Sequence, residues 1–547
     1  MTNLSDHFLV VPTVRTCRLT NTNDPTGIVQ NSQTSFATTS LKNGNQCIIH
    51  QADLIIDGKN VVQLQPYHGI LAGIEIASKM SRDDLTLHGK IKGFAQTLDN
   101  PNSTEFTGPL TNGGTAITPN VNLYGKSGPG LTNNKVWGVG GANSGSDLNT
   151  GTPFQADAGA QNYFVVNGCL QEKLAWNVNT MGQANNIFGS NNAGTQNYLM
   201  PINNLNQDFT SYSYYNATTN TYVWVDYLTI KLSDILGPMD AIGYMRRFNA
   251  ILRIYINTGL VTVSATTVNA NYKNLTFGGP QYSTFTNVCP LVINNIGYLT
   301  NWSNNIFSDI TCGFFIGSSP NYSIQTAGGA SVNFAGIASS ITSTRYYYSS
   351  ILLDPIKASD YLTSQQSKVC VSREFLYNTY TNINAGTNFS QLMQSGVRNI
   401  VGVIVLPYIA QTVNNFSQYS SPFDVAGGAA CTSPLSLINF QVSIGGVNQL
   451  TNVLTYSYES WIEQLSKFNK SSSSEYGVES GLIDYQFWNY NKIYMCNVRS
   501  TLDDAQTPRN VVVSFINNSN IALDIQVFVI YEQELIVNCS TGAVLVK

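Results

Sequence analysis

Histidines, cysteines and paired carboxylates ionise or bind metals near neutral pH, so they bound the chemistry a chain can do. All four histidines, His7, His50, His68 and His88, lie within the first 88 of 547 residues. No Cys or carboxylate stands at a metal-ligand spacing from His50 or His68, which excludes the usual zinc frameworks. No Gly-x-Ser-x-Gly elbow accompanies them, so a His-activated serine lacks its usual support. The adjacent acids are Asp83-Asp84 and Asp503-Asp504. Neighbouring carboxylates diverge on a helix and face opposite ways on a strand, so neither pair suits joint acid–base work. The first reads as a helix start, with Ser81 and Asp84 as a capping box, and the second as a loop. A calcium loop of the Asp-x-Asp-x-Asp-Gly kind is absent. The segment WGVGGANSGS (137–146) lacks the Gly-Lys-Ser/Thr ending of a phosphate loop. No catalytic, cofactor-binding or metal residue is nominated, and no cofactor.

Nine cysteines stand at 17, 47, 169, 289, 312, 370, 431, 496 and 539. Their odd number, wide spacing and apolar flanks point to buried structural thiols in a reducing compartment. Tyr346-Tyr347-Tyr348 could stack sugars or bases, but with only Arg345 beside it a strand entering a sandwich is the expectation. Arg246-Arg247 heads a buried-looking strand and is too small a charge for nucleic acid. With a net charge of −4 and no basic arm, no specific nucleic-acid site is expected. The first residues do not read as a secretory signal, and no 18-residue apolar run is present.

The elements that carry these residues are mostly strands. Charged residues make up 11% of the chain and hydrophobic ones 43%, with 30 Tyr and 24 Phe, so the chain folds and covers its surface with neutral polar groups. Such a surface is cheap to desolvate against a partner. Alternating runs occur at 163–166, 222–232, 250–257, 399–406 and 493–498. Residues 511–515 and 521–531 flank Asn-Asn-Ser-Asn and read as a hairpin. Helical spacing appears at 67–80 and 456–468, and more weakly at 232–245 and 388–394. Residues 97–160 and about 177–220 are Gly-, Asn- and Thr-rich, and 266–343 has the texture of a junction.

A shift of 388 residues lays Ile56–Met80 on Ile444–Phe468 without a gap, with seven of 25 positions identical. Gly58 and Gly446 fall at matching turn positions, and strand, helix, strand and hairpin recur in the same order after each. The expectation is an all-β chain of two tandem eight-stranded β-sandwiches with a few short helices and long loops. Residues 1–290 form the first, carrying a long insertion at about 97–220; residues 291–547 form the second, with an N-terminal junction.

Several stretches resemble the major capsid proteins of the double jelly-roll lineage, particularly those of virophages and polinton-like viruses. They are IIDGKNV (55–61), YLTIKLSDILGPMDAI with RIYINTG (227–242, 253–259) and TRYYYSSILLDP (344–355). The most specific are SPFDVAGGAACTSPLSLINFQVSIGGVNQL (421–450), SGLIDYQFWNYNKIYM (480–495) and TPRNVVVSFINNSNIALDIQVFVIYEQE (507–534). The resemblance implies two jelly rolls standing perpendicular to a capsid shell and three chains forming a pseudo-hexagonal capsomer of an icosahedral double-stranded DNA virus. Its implied partners are a homotrimer, neighbouring capsomers, and penton and minor capsid proteins; contact with an internal membrane or a host surface stays open. It implies that the long insertion forms an outward tower and that the protein resides in the virion and is not an enzyme. A glycan-binding viral attachment protein and a β-sandwich carbohydrate-active enzyme are the alternatives.

Overall fold

The structure, a computed structural model, describes residues 1–19, 35–94, 221–269, 343–410, 437–451, 455–469, 481–490, 492–498, 507–519 and 522–547, with short strands or segments at 104–106, 111–112, 115–116, 160–161, 165–167, 211–216, 272–277, 289–297, 310–317, 323–325 and 331–333. Apart from those short strands, the 97–220 insertion lies outside the described residues, as do 137–146 and Asp503-Asp504.

The elements of the first half are β1 (Phe8–Leu19), β2 (Ser35–Leu41), β3 (Ile49–Ile56), β4 (Lys59–Val62), α1 (His68–Lys79), α2 (Arg82–Lys92), β5 (Ser211–Asn216), β6 (Thr221–Lys231), α3 (Gly237–Ile242), β7 (Ala250–Ile256), β8 (Gly259–Asn269), β9 (Tyr272–Phe277), β10 (Leu291–Gly297), β11 (Ile310–Ile316) and β12 (Arg345–Tyr347). After helix α4 (Pro355–Ser364) come β13 (Lys368–Ile383), β14 (Asn388–Val397), β15 (Ile400–Ile409), β16 (Leu437–Ile444), β17 (Val447–Asn448), α5 (Tyr458–Asn469), α6 (Tyr485–Tyr490), β18 (Tyr494–Asn497), β19 (Arg509–Asn517) and β20 (Leu523–Val537).

Strands β13 to β20 form two sheets, in the orders β13-β20-β15-β18, with a short strand Val544–Val546 also on β20, and β14-β19-β16-β17. Counted from β13, that is 1-8-3-6 facing 2-7-4-5, the connectivity of two interleaved Greek keys. The second unit is a jelly roll. Its two inner faces meet in a core that includes Val403, Val405, Phe440, Val442, Val511, Val513, Ile525 and Val527.

The first sandwich repeats part of this plan. Sheet β7-β3-β4 matches β19-β16-β17, and β1 pairs with β6 as β15 pairs with β18. It departs in one respect: β11 lies between β1 and β8, whereas β15 pairs directly with β20. The whole larger sheet runs β5-β6-β1-β11-β8-β9, with β12 on the start of β1, and β10 pairs with β2. Strands Leu291–Gly297, Ile310–Ile316 and Arg345–Tyr347 therefore hydrogen-bond to the first half, and sheet membership passes to the second sandwich at Lys368.

Two local readings are corrected. Residues 511–531 do not make a hairpin ladder, because β19 and β20 lie in opposite sheets. The Asn-Asn-Ser-Asn turn reverses the chain, but each strand is apolar enough to need a different sheet partner. The weak helix at 388–394 is strand β14. Its buried Phe389, Met393 and Val397 recur every fourth residue, a spacing that fits a strand as well as a helix, and Leu392 between them is exposed.

The hairpins β3–β4 and β16–β17 correspond closely. Ile56 pairs with Lys59 and Ile444 with Val447, so each loop has two residues. Both loop residues have positive φ: 48° at Asp57 and 74° at Gly58, 58° at Gly445 and 86° at Gly446. Positive φ at both central positions is the requirement of a type I′ turn, whose twist matches that of the strands it joins. A Cβ at Gly58 or Gly446 would meet open space, so the demand for glycine there is conformational. Gly446→Ala is expected to cost about 1–2 kcal/mol, read as a lower chemical-denaturation midpoint; an unchanged midpoint would remove the backbone argument.

Candidate functional site: the seam between the two sandwiches

The residues with the chemistry to act are dispersed. His50 is buried against the Tyr67 ring, and burial pulls its pKa down to about 4. Buried His68 shares a hydrogen bond between its Nε2 and the Ile235 carbonyl (2.5 Å), and burial lowers its pKa as well. His7 is bracketed by Thr2 Oγ1 and the Tyr346 hydroxyl, while His88 is exposed on α2. Among the described residues no group of three His, Cys, Asp or Glu could hold a metal. Ser81 and Asp84 form the expected capping box of α2. Cys47, Cys289, Cys312, Cys370, Cys496 and Cys539 are buried thiols. Tyr347 stacks on Phe8 at 5.0 Å, and Tyr346 on Tyr348 at 6.1 Å, as β12 joins the sheet. Arg246 and Arg247 are exposed, and the strand they precede, β7, is half-exposed rather than buried.

What the fold does assemble is a broad contact between the sandwiches. The outer face of sheet β13-β20-β15-β18 is covered by helices from both halves. Ile70, Ile74, Ala77 and Met80 of the α1 region pack with Trp461, Leu465 and Phe468 of α5, Phe487 and Trp488 of α6, and Ile404, Leu406, Tyr408, Phe528 and Ile530 of the sheet. The apolar runs of β15 and β20 are thereby explained. Alternate residues fill the second sandwich's core and the rest fill the seam, as in strands buried on both faces.

The 388-residue register persists here in burial. Gly73, Ala77, Ser78 and Met80 are buried, and so are Trp461, Leu465, Ser466 and Phe468; Lys79 and Lys467 are both exposed. Sequence comparison located the repeated helix but not that its two copies pack together. The only advance signal was apolar residues at helical spacing beside strands already apolar on both faces.

Polar bonds fasten the seam. Gln533 Nε2 donates to the Val61 carbonyl at 2.5 Å, Lys368 Nζ to the Ile242 carbonyl at 2.6 Å, and Asn469 Nδ2 to Ser78 Oγ at 3.1 Å. Backbone N–H groups of Leu482 and Arg246 donate to Ala77 and Cys539 carbonyls at 2.8 Å each. Gly481, at φ 61°, lies so close to α1 that a Cβ there would collide with the Ala77 carbonyl and Ser78. Arg373 donates to the Phe468 carbonyl (2.8 Å), sits 4.4 Å over the Phe468 ring and pairs with Glu532 at 3.9 Å.

A cavity of about 840 Å³ opens along the seam between α1, α2, α3 and β13. Glu374 on its β13 wall is 6% exposed, and burial drives its carboxyl pKa well above the usual range. A backbone hydrogen bond from Gln63 opposes that shift, and Glu75 on α1 adds to it. Tyr531, beside it, has its pKa raised to about 12 by its own burial and by Glu374.

No family model matches the chain, and no curated protein does. Among solved structures, the whole chain aligns with 82% of a chain in the 3.5 Å cryo-EM structure of the Sputnik virophage, at 10% identity and a TM-score of 0.38. It aligns in full with 93% of a chain in a quasi-atomic model of the PBCV-1 virus capsid, at 7% identity and a TM-score of 0.34. Ninety-seven per cent of it aligns with 94% of the STIV MCP, at 8% identity and a TM-score of 0.27. These are overlaps of outline; the jelly-roll connectivity is read from the strand pairings of this chain itself.

Two outcomes follow from the seam. Gly481→Ala, which combines a clash with positive φ, is expected to destabilise the protein by about 2–4 kcal/mol, measurable as a lowered denaturation midpoint. Because the Glu374 pKa is raised on folding, its stabilising contribution is full below the unfolded value near 4.5 and is lost as pH rises through the folded value. Glu374→Gln keeps the neutral shape, so it should raise the melting temperature at pH 8 and change it little at pH 4. Equal shifts at both pH values would contradict the assignment.

Proposed function

We propose that the protein is a structural major capsid protein of the double jelly-roll kind, located in the virion shell, with three chains forming a pseudo-hexagonal capsomer. The observation that carries this reading is the seam. Two tandem sandwiches share a buried, hydrogen-bonded interface and one stretch of common core: Cys370, Leu535, Val537 and Cys539 of the second half pack into the first half's cluster. Flexibly tethered domains meet through smaller and more polar interfaces. A fixed pair of rolls is a tile of constant shape, and three such tiles place six rolls around a threefold axis. The sparse charge of the chain lowers the desolvation cost when tiles abut.

On this reading the work of the protein is mechanical, and the dispersed histidines and thiols are packing residues. Neighbouring capsomers and penton and minor capsid proteins are its further partners. The 97–220 insertion is the outward tower of the capsomer. Negative-stain microscopy of the purified chain tests the assembly: flat pseudo-hexagonal trimers or closed shells are expected, whereas monomers or slender fibres would overturn it. Removing most of 97–220 should leave trimers that still assemble, and a truncated chain unable to trimerise would make the insertion an interface instead.

A further inference from the structure

The first sandwich has one side that its own described residues do not close. Sheet β7-β3-β4 ends on β7, and no strand among the described residues pairs with the outer edge of β7. In the second sandwich the equivalent strand, β19, has β14 on that edge, and β14 sends Phe389, Met393 and Val397 into the core. The β7 sequence AILRIYI places Ala250, Leu252, Ile254 and Ile256 on its inner face and Ile251, Arg253 and Tyr255 on the other. Yet Ala250, Leu252, Ile254 and Ile256 are only half-buried, and on the other face Ile251 and Tyr255 are 55% and 48% exposed. Their counterparts Val511, Val513 and Phe515 are at most 1% exposed. Beside β7, between the sheets, lies a cavity of about 500 Å³ walled by such residues as Leu9, Leu54, Met239 and Phe248. An apolar opening of this size is large enough to take apolar side chains of a partner.

The same surface carries a matching projection. Residues 351–354 link β12 to α4 without helix or strand. Leu352 is 95% exposed, Leu353 40% and Ile356, in the first turn of α4, 73%. The link is anchored beside the open edge. Ile351 N–H donates to the Met1 carbonyl at 2.8 Å, Asn3 N–H donates to Ser349 Oγ at 3.0 Å, and Thr2 and Asn3 pair with Met245 and Tyr244, just before β7. The one acid in it, Asp354, is committed to capping α4 through the N–H groups of Ile356 and Lys357. At that exposure Leu352 stands outside its own cavity. An apolar projection thus adjoins an apolar opening on one molecule, and no described residue covers either fully.

We propose that the open edge of β7 and the cavity beside it receive the Leu352–Leu353 segment of a second copy of this chain. The pairing deepens the capsid reading and rests on it, since a shell brings copies into contact. The contact adds an extended segment to an unpaired sheet edge and fills a hydrophobic pocket with alternate side chains. It joins two different patches, so it is a head-to-tail contact, which forms a ring where the rotation relating the copies closes.

The test uses two differently tagged full-length chains, one Leu352→Cys and one Ile254→Cys, mixed, assembled and mildly oxidised, with each variant alone as a control for the native thiols. A disulfide joining the two tags only in the mixture is the expected result. Leu352→Asp combined with Leu353→Asp should weaken self-association by about tenfold or more while the circular dichroism stays that of the parent. If the parent assembles but the mixture gives no tag-to-tag link and the Asp variant assembles like the parent, this contact is overturned and the capsid reading stands. If a chain carrying both cysteines links only within itself, its own segment fills the cavity and the proposal fails. A parent chain that stays monomeric at every concentration overturns the capsid reading, and this contact with it.

Discussion

The described structure depends on the burial of one helical layer against the outer face of sheet β13-β20-β15-β18. Trp461 and Phe468 from the second half and Ile74 and Ala77 from the first share one apolar cluster, with β15 and β20 beneath them. Without that layer, both strands would present rows of Ile, Leu, Phe and Tyr to water, because only their alternate residues face the second sandwich's own core. Burial of apolar surface is the dominant favourable term in folding. Here it is also what holds the two sandwiches in one orientation. The polar bonds across the seam add direction to a contact whose strength is apolar. Gln533, Lys368 and Asn469 each donate to an oxygen across it, which limits sliding.

Jelly-roll connectivity explains why neighbours in sequence are so often not neighbours in a sheet. β19 follows β16 by more than sixty residues and pairs with it, while β20 follows β19 directly and lies in the other sheet. Two of the tight hairpins, β3–β4 and β16–β17, use the one loop geometry whose twist suits a two-residue reversal. They open the segment leading to α1 and to α5, so they help aim the two helices that meet in the seam. The type I′ turn is a local feature with a distant consequence.

How much of this was legible before the fold is seen in particular residues. The 388-residue repeat was, because Gly58 and Gly446 answer a backbone demand and Ser78, Lys79, Ser466 and Lys467 keep their burial in both copies. So were the capping box at Ser81 and Asp84 and the burial of several cysteines. The partner of β19 was not legible. Asn-Asn-Ser-Asn proposes a local hairpin, and only the competition among all strands for sheet edges sends β20 elsewhere. Nor was the identity of β14, whose fourth-residue spacing serves two periods. The strands at 291–297 and 310–316 look like a junction in sequence and are sheet members of the first sandwich, because edge pairing depends on backbone groups that every residue carries.

Sequence alone determined the alternation that makes the chain all-β, the neutral surface, the absence of a local catalytic motif and the existence of two related units. Each of these is set by residues close together in the chain or by composition. Tertiary structure alone decided which strands pair, that β11 enters between β1 and β8, that the two copies of one helix join one apolar cluster, and that no described strand pairs with the outer edge of β7. Those outcomes are settled by burial and hydrogen bonding between segments hundreds of residues apart, and no local pattern encodes which of several equally apolar strands will win a given edge.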